Sequence, residues 1–474
     1  MKVEQIYTGC LAQGAYYITS NGEAAIVDPL REIKPYLERA KKDGVKIKYI
    51  FETHFHADFV SGHVDLAKAT GAKIIYGPTA QPAFDCIIAK DGEEFKVGDL
   101  TFKTLHTPGH TMESTTFLLR DENGKDVAIF SGDTLFIGDV GRPDLAQKAA
   151  DMTQEQLAAT LYKSLREKVM TLADDVLVYP AHGAGSACGK NMSKETVSTI
   201  GEQKKSNYAL RANMTEEEFV KEVTEGLLPP PQYFPMNVAM NKMGYENIDT
   251  VMERGLQAMN AEEFEAAANE TDAVMLDTRN DAVVWKGFIP NSINISLDGQ
   301  FAPWVGALIP DVKQQLLIIA EPGREEESIM RLARVGYDNV IGFLKGGFDA
   351  WKNAGKEIDT VNRITSTEFE KVFDKESTVV IDIRKPGEYS AEHVEEALNI
   401  PLDYLNENLA EFPKDKDFII HCGSGYRSMT AATMLKSRGW ENFREVAGGY
   451  DAIKGTGVPR TDFVCATKMR GIES

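Results

Sequence analysis

Metal-ligating side chains are concentrated in the first 190 residues: His54, His56 and Asp58 in "ETHFHAD", His110 in "LHTPGHT", Asp133 in "FSGDTLF" and His182 in "YPAHGAG". Imidazole nitrogens with carboxylate oxygens suit zinc, iron and related cations, and so metal-assisted hydrolysis or redox chemistry. A lone histidine is more often structural than ligating. Here several follow strand-like runs, which points to one shared site. A second chemistry resides in "FIIHCGSGYRSMTAATMLKSRGW", residues 418–440, where Cys422 ends an apolar strand and a glycine-rich loop leads into a helix. A cysteine so placed is commonly a small core residue. Three features argue for a nucleophilic thiolate: backbone N–H groups of "GSGYRS" that can turn inward, the positive end of the following helix, and Arg427.

The elements that must position these groups follow from the pattern. Through residue 190, short runs such as "EAAIVDP", "IKYIFETH", "VAIFSGDTLF" and "DVLVYPAHG" end at Gly, Pro, His or Asp, as strands ending at a site would. "TQEQLAATLYKSLREKV" carries Leu157, Leu161 and Leu165 behind a Thr153/Gln156 capping box and is expected to be an amphipathic helix. From about 191 to 254 the pattern becomes helical and polar and breaks at "LLPPPQYFP". This stretch is either an extended arm or an extension packed on the first domain.

The last 220 or so residues repeat internally. "AVMLDTRNDAVVWKGFIPNSINISL" (273–297) matches "VVIDIRKPGEYSAEHVEEALNIPL" (379–402), and "LKGGFDAWKNAG" (344–355) matches "VAGGYDAIKGTG" (446–457). Each copy alternates strand and helix, as a covered parallel sheet requires. The expected organisation is α/β and multidomain: 1–254, then 255–358, then 359–474.

Composition narrows the partners. Apolar residues at 43% and charged residues at 26% are those of a folded soluble chain. A formal net charge of -20 argues against nucleic acid and anionic membrane surfaces. With no apolar leader and no membrane-length apolar run, the expected location is the cytoplasm. Five scattered cysteines (Cys10, Cys86, Cys188, Cys422 and Cys465) do not suggest a disulfide framework.

In order and context, the five histidine and aspartate motifs resemble those of the metallo-β-lactamase fold, an αββα sandwich, over roughly residues 1–190. A two-zinc hydrolase of the glyoxalase II kind has a histidine after Asp58, but this chain has Phe59, which cannot coordinate a metal. "LHTPGHT", "SGDTLF" and "GRPDL" are similar to the persulfide dioxygenase family. That resemblance implies a mononuclear non-haem Fe(II), one per chain, held by His54, His110 and Asp133 with dioxygen as co-substrate; Phe59 departs from this family's pattern too, and leaves those three ligands intact. His56 and Asp58 would then orient ligands or water, and His182 would have a structural or substrate-side role. Arg142, in "GDVGRPDL", either meets the carboxylate of a thiol carrier or is structural. Cys188, just after His182, is a candidate persulfide relay.

Residues 362–460 resemble the rhodanese sulfurtransferases, in which Cys422 would carry a persulfide. Gly423, Ser424, Gly425, Tyr426, Arg427 and Ser428 would form the substrate cradle, one residue shorter than that of cysteine phosphatases and suited to a sulfane sulfur. The corresponding stretch of the first copy, "LLIIAEPGREEESIMRL", has no cysteine and places Glu325, Glu326 and Glu327 there. Residues 258–358 are therefore expected to be an inactive repeat that spaces the sites or forms an interface, with docking of substrate as the remaining option.

The combined expectation is oxidation of a low-molecular-weight persulfide, of glutathione, coenzyme A or a similar thiol, to sulfite. Sulfur transfer at Cys422 would then give thiosulfate, or load sulfur in the reverse direction, in a homo-oligomer. The alternatives are a zinc thioester hydrolase with accessory rhodanese modules, and a sulfur-carrier or redox-sensing protein with a vestigial metal domain.

Overall fold

The computed structural model describes residues 1–464 other than Leu228; Cys465, expected to do no more than pack, lies outside the described residues. The chain forms two compact units, one of residues 1–248 with 333–336 and one of 249–332 with 337–474.

The first unit is the αββα sandwich. Among the described residues it holds two six-stranded mixed sheets, whose facing sides meet in a core of Tyr16, Ile18, Val27, Phe51, Phe102, Phe117 and Phe130. Alternation along Gln13–Ser20 sends Tyr16 and Ile18 into that core and Ala15 and Tyr17 to the outer face, where the helix Lys34–Asp43 packs. On the other outer face lies Gln154–Ser164, started by the Thr153/Gln156 capping box and buried through Leu157 and Leu161. The stretch 191–248 is the packed extension and not a free arm: Phe219 and Val223 of Glu216–Thr224 share a core with Leu161. The helix Phe234–Met243 begins directly after the proline cluster, with Pro235 in its first turn, where a missing N–H costs nothing.

The second unit holds both repeats. Each has a five-stranded sheet in the same order, with every pairing parallel. The repeats meet where the helix Tyr426–Ser437 packs on the strand Ile293–Asn294, with Asn294 N–H donating to Thr433 Oγ1 at 2.9 Å. Among the described residues no helix is long and apolar enough to cross a membrane.

Candidate metal centre and thiol site

His54 and His56 follow the strand Lys46–Phe51, Asp133 follows Asp126–Gly132, and His182 follows Leu177–Pro180. His110 lies in the loop after Leu100–His106. At the turn before Asp133, Gly132 has φ 54°, and a β-carbon there would lie 2.6 Å from the Thr53 side chain. Glycine is required for the aspartate to leave the strand toward the histidines.

Hydrogen bonding fixes which atoms are free. Thr53 Oγ1 donates to Asp28 Oδ2 at 2.9 Å, so it must accept from His54 Nδ1, also at 2.9 Å. His110 Nδ1 donates to the Arg142 carbonyl at 2.8 Å. Both rings therefore turn an Nε2 lone pair inward. His182 Nδ1 takes Asp133 Oδ1 at 2.7 Å, and Asp133 Oδ2 is buried with no hydrogen-bond partner among the described residues. That orphaned oxygen lies 3.7 Å from His54 Nε2 and 3.4 Å from His110 Nε2. Three convergent acceptors at these separations fit a cation bonded at about 2.0–2.2 Å to each.

Electrostatics favour the same set. Burial, with His56 beside it, pushes the His54 pKa well down, leaving a neutral ring able to coordinate. Burial alone would raise the Asp133 carboxyl, but His182, His54 and His110 hold it far below the usual carboxylate range.

His56, Asp58 and His182 form a second group of potential ligands, their donor atoms within 4.8 Å of one another. His182 Nε2 lies 2.8 Å from Asp58 Oδ2, so both of its ring nitrogens face carboxylates. Burial opposes a charge on His182, but Asp133 and Asp58 outweigh it and raise its pKa well above the ordinary value. Phe59 is fully buried, with its ring centroid 4.4 Å from that of His56. It lies beside that group and offers it no ligand atom.

Arg142 is buried and points away from a substrate role. Its guanidinium is clasped by both oxygens of Asp144 at 2.7 Å and donates to Ala187 O, while its carbonyl orients His110. Cys188 is buried beside Asp133 and His182, and burial, then Asp58 and Asp133, push its thiol pKa well up.

In the second unit Cys422 follows the strand Phe418–His421 and is 1% exposed. Gly425 N–H donates to its Sγ at 3.1 Å, and Ser428 Oγ lies 3.5 Å away. The helix Tyr426–Ser437 starts beside the sulfur, as the sequence suggests. Gly423 and Ser424 complete the loop, with Ser424 exposed at its rim. The charge expected from Arg427 is paired, because each of its terminal nitrogens donates to Glu388, at 2.6 and 2.8 Å. Burial favours this pairing, since a half-buried guanidinium without a partner is costly.

Comparison with known proteins follows the same division. Residues 8–182 match the metallo-beta-lactamase superfamily, and residues 260–354 and 365–456 each match the rhodanese-like domain. Over 221 residues the chain is 33% identical to the mitochondrial persulfide dioxygenase ETHE1 of Homo sapiens, covering 46% of this chain and 78% of the human protein. The chain belongs to the persulfide dioxygenase family. Two rhodanese-like domains are joined to that family's domain here. It is also 37% identical over 171 residues to a hydroxyacylglutathione hydrolase of Tolumonas auensis, covering 35% of this chain and 60% of that protein. A metallo-beta-lactamase structure from Staphylococcus aureus subsp. aureus COL superimposes with a TM-score of 0.64 at 30% identity, covering 73% of this chain and 98% of that one.

In this member of the family, three supporting residues escape sequence reasoning. Asp28 braces the metal loop by accepting from Thr53 N–H at 2.8 Å and facing His56 Nε2 at 3.1 Å. Its signal is the Asp before the final Pro of "EAAIVDP", in the same strand-end pattern as the candidate ligands. Glu52 lies buried beside it, its carboxyl pKa pushed well up by burial and by Asp28. Asn241 bonds Ser61 N–H and the carbonyls of His56 and Phe59, at 2.8 to 2.9 Å. No local motif marks it, because it acts from some 180 residues away.

Proposed function

We propose that the first unit oxidises the outer sulfur of a low-molecular-weight persulfide to sulfite, and that Cys422 transfers a sulfane sulfur to give thiosulfate. The observation that carries the reading is the set of three uncommitted ligand atoms, His54 Nε2, His110 Nε2 and Asp133 Oδ2, beside a second group to which Phe59 adds no ligand. Those residues would hold one Fe(II), which when bound supplies redox chemistry with dioxygen and open positions for a sulfur ligand.

The chain's own groups set the conditions. Thr53 and the Arg142 carbonyl hold the two imidazoles in the ligating tautomer, and His182 holds Asp133 by one oxygen so that the other faces inward. The net reaction, R–S–S⁻ + O2 + H2O → R–S⁻ + SO3²⁻ + 2H⁺, balances in atoms, charge and electrons. At the second site, the thiolate of Cys422 takes the outer sulfur of R–S–SH, releasing R–SH. Sulfite then attacks that sulfur, the S–S bond breaks, and Cys422 leaves as thiolate with the bonding pair. Cys188 borders the metal pocket and is the candidate for handing sulfur onward.

Metal analysis on anaerobically purified protein, with oxygen uptake on adding glutathione persulfide, tests this. About one iron per chain with persulfide-dependent uptake is expected. The second reading is a two-zinc thioester hydrolase, favoured by the His56, Asp58 and His182 group and by the hydrolase relative. Two zincs, no oxygen uptake and thioester cleavage would establish it instead.

A further inference from the structure

Transfer to sulfite brings a dianion to a persulfide in an acidic chain, so the Cys422 loop needs a cation with free donors. Arg427 supplies them only in part, because each of its terminal nitrogens gives an N–H to the Glu388 carboxylate, which also offsets its charge. A second arginine has both terminal nitrogens open. Arg363, on the short strand Arg363–Ile364, bonds Glu445 through Nε at 2.6 Å; its Nη1 and Nη2 donate to no described residue. Glu445 in turn accepts from Ser428 Oγ at 2.6 Å, and Ser428 lies against the sulfur. Glu445 therefore anchors the arginine from behind and leaves its outer edge open.

That edge faces the loop. A β-carbon built on Gly425, whose N–H holds Cys422 Sγ, would lie 3.1 Å from Arg363 Nη2 and 3.8 Å from Asp281 Oδ2. Gly425 has φ 112°, and its bare backbone leaves this approach clear. Asp281 belongs to the first repeat, and so does Trp285, whose ring centroid is 6.0 Å from the Arg363 guanidinium carbon. The first repeat also holds the loop itself, since Tyr426 Oη donates to Ser296 O at 3.0 Å and the Tyr426 ring packs on Gly299. The rim of the thiol site is thus built by both repeats.

We propose that the outer edge of Arg363, bordered by Asp281 and Trp285 of the cysteine-free repeat, is the subsite that binds the oxyanion acceptor, sulfite, beside Cys422. Two parallel N–H donors match two oxygens of such an anion. Asp281 opposes anion binding and narrows the subsite to acceptors that the guanidinium can hold. The first repeat then has a role in acceptor choice although it lacks a cysteine.

The proposal rests on the sulfurtransferase reading of Cys422, and the test separates the two. Sulfite binding is measured by calorimetry on full-length Cys422→Ser protein, alone and with Arg363→Gln, Arg363→Lys or Asp281→Asn. We expect about tenfold weaker binding with Arg363→Gln, partial recovery with Arg363→Lys and tighter binding with Asp281→Asn. In the Cys422 protein, Arg363→Gln raises KM for sulfite by a similar factor while KM for cyanide, which has no oxygens to hold, stays unchanged. Sulfite binding and KM that do not respond to any of the three substitutions overturn the subsite. Equal losses with sulfite and cyanide also overturn it, by making Arg363 a support for Glu445. Absence of persulfide on Cys422 in the unmodified protein overturns the sulfurtransferase reading alone, because the Cys422→Ser binding series needs no turnover.

Discussion

In the first repeat Arg279 closes on Asp277 with a shortest contact of 2.6 Å, covers the Phe348 ring and donates to Gly287 O; in the second, Arg384 closes on Asp382 at 2.6 Å, covers Tyr450 and donates to Glu392 O. Asn294 ties the carbonyls of Asp277 and Arg279, as Asn399 ties those of Asp382 and Arg384. Gly347 approaches the Ala320 carbonyl as Gly449 approaches that of Cys422. The frame is duplicated bond for bond, whereas the loop after the central strand is not. The buried clasp fixes the end of an interior strand in both copies; the loop answers to chemistry and is free to drift in the copy without it.

Removing the sulfur should have the largest effect. Cys422→Ser is expected to take thiosulfate formation to background while persulfide-dependent oxygen uptake in the first unit stays within about twofold. Simultaneous loss of both would break the division of labour between the units.

The clasp tests the shared half of the comparison. Arg279→Ala and Arg384→Ala each leave a buried carboxylate without its partner, at a cost of about 3 kcal/mol. Denaturant titrations should give the two losses within about 1 kcal/mol of each other. A clasp that matters in one repeat alone would show that the copies no longer share a frame.

The frame was legible because it is written locally. Asp-x-Arg, Asn-Ile and the paired glycines sit at fixed spacings, and both copies fold as their likeness suggests. The candidate ligands were legible for the same reason, each lying at or soon after a strand end. What the sequence hid is long-range. Glu388 neutralises Arg427 from 39 residues away. Arg363 reaches Gly425 from a two-residue strand, and Asn241 returns to the metal loop from a helix that the proline cluster made look like a linker. Each contact depends on sheet order and helix packing, which spacing alone does not encode.

The finest difference between the repeats lies in one amide. By register with the two Gly approaches, Ala320 stands where Cys422 does and Gly323 where Gly425 does. Gly425 N–H holds the sulfur, but Gly323 N–H donates to the Glu325 carboxylate at 2.8 Å. Pro322 has no N–H to offer, and Glu325, Glu326 and Glu327 fill the first turn of the helix Glu325–Ala333, offsetting its positive end. Arg324 is spent on Glu327 and Asp298. Ala320→Cys should therefore gain no persulfide, read as a one-sulfur mass increase after incubation with glutathione persulfide, in a Cys422→Ser background. Adding Glu325→Ala frees the amide and should permit partial loading. Loading of Ala320→Cys by itself would show that strand position suffices and that the cradle's donors contribute little to the thiolate.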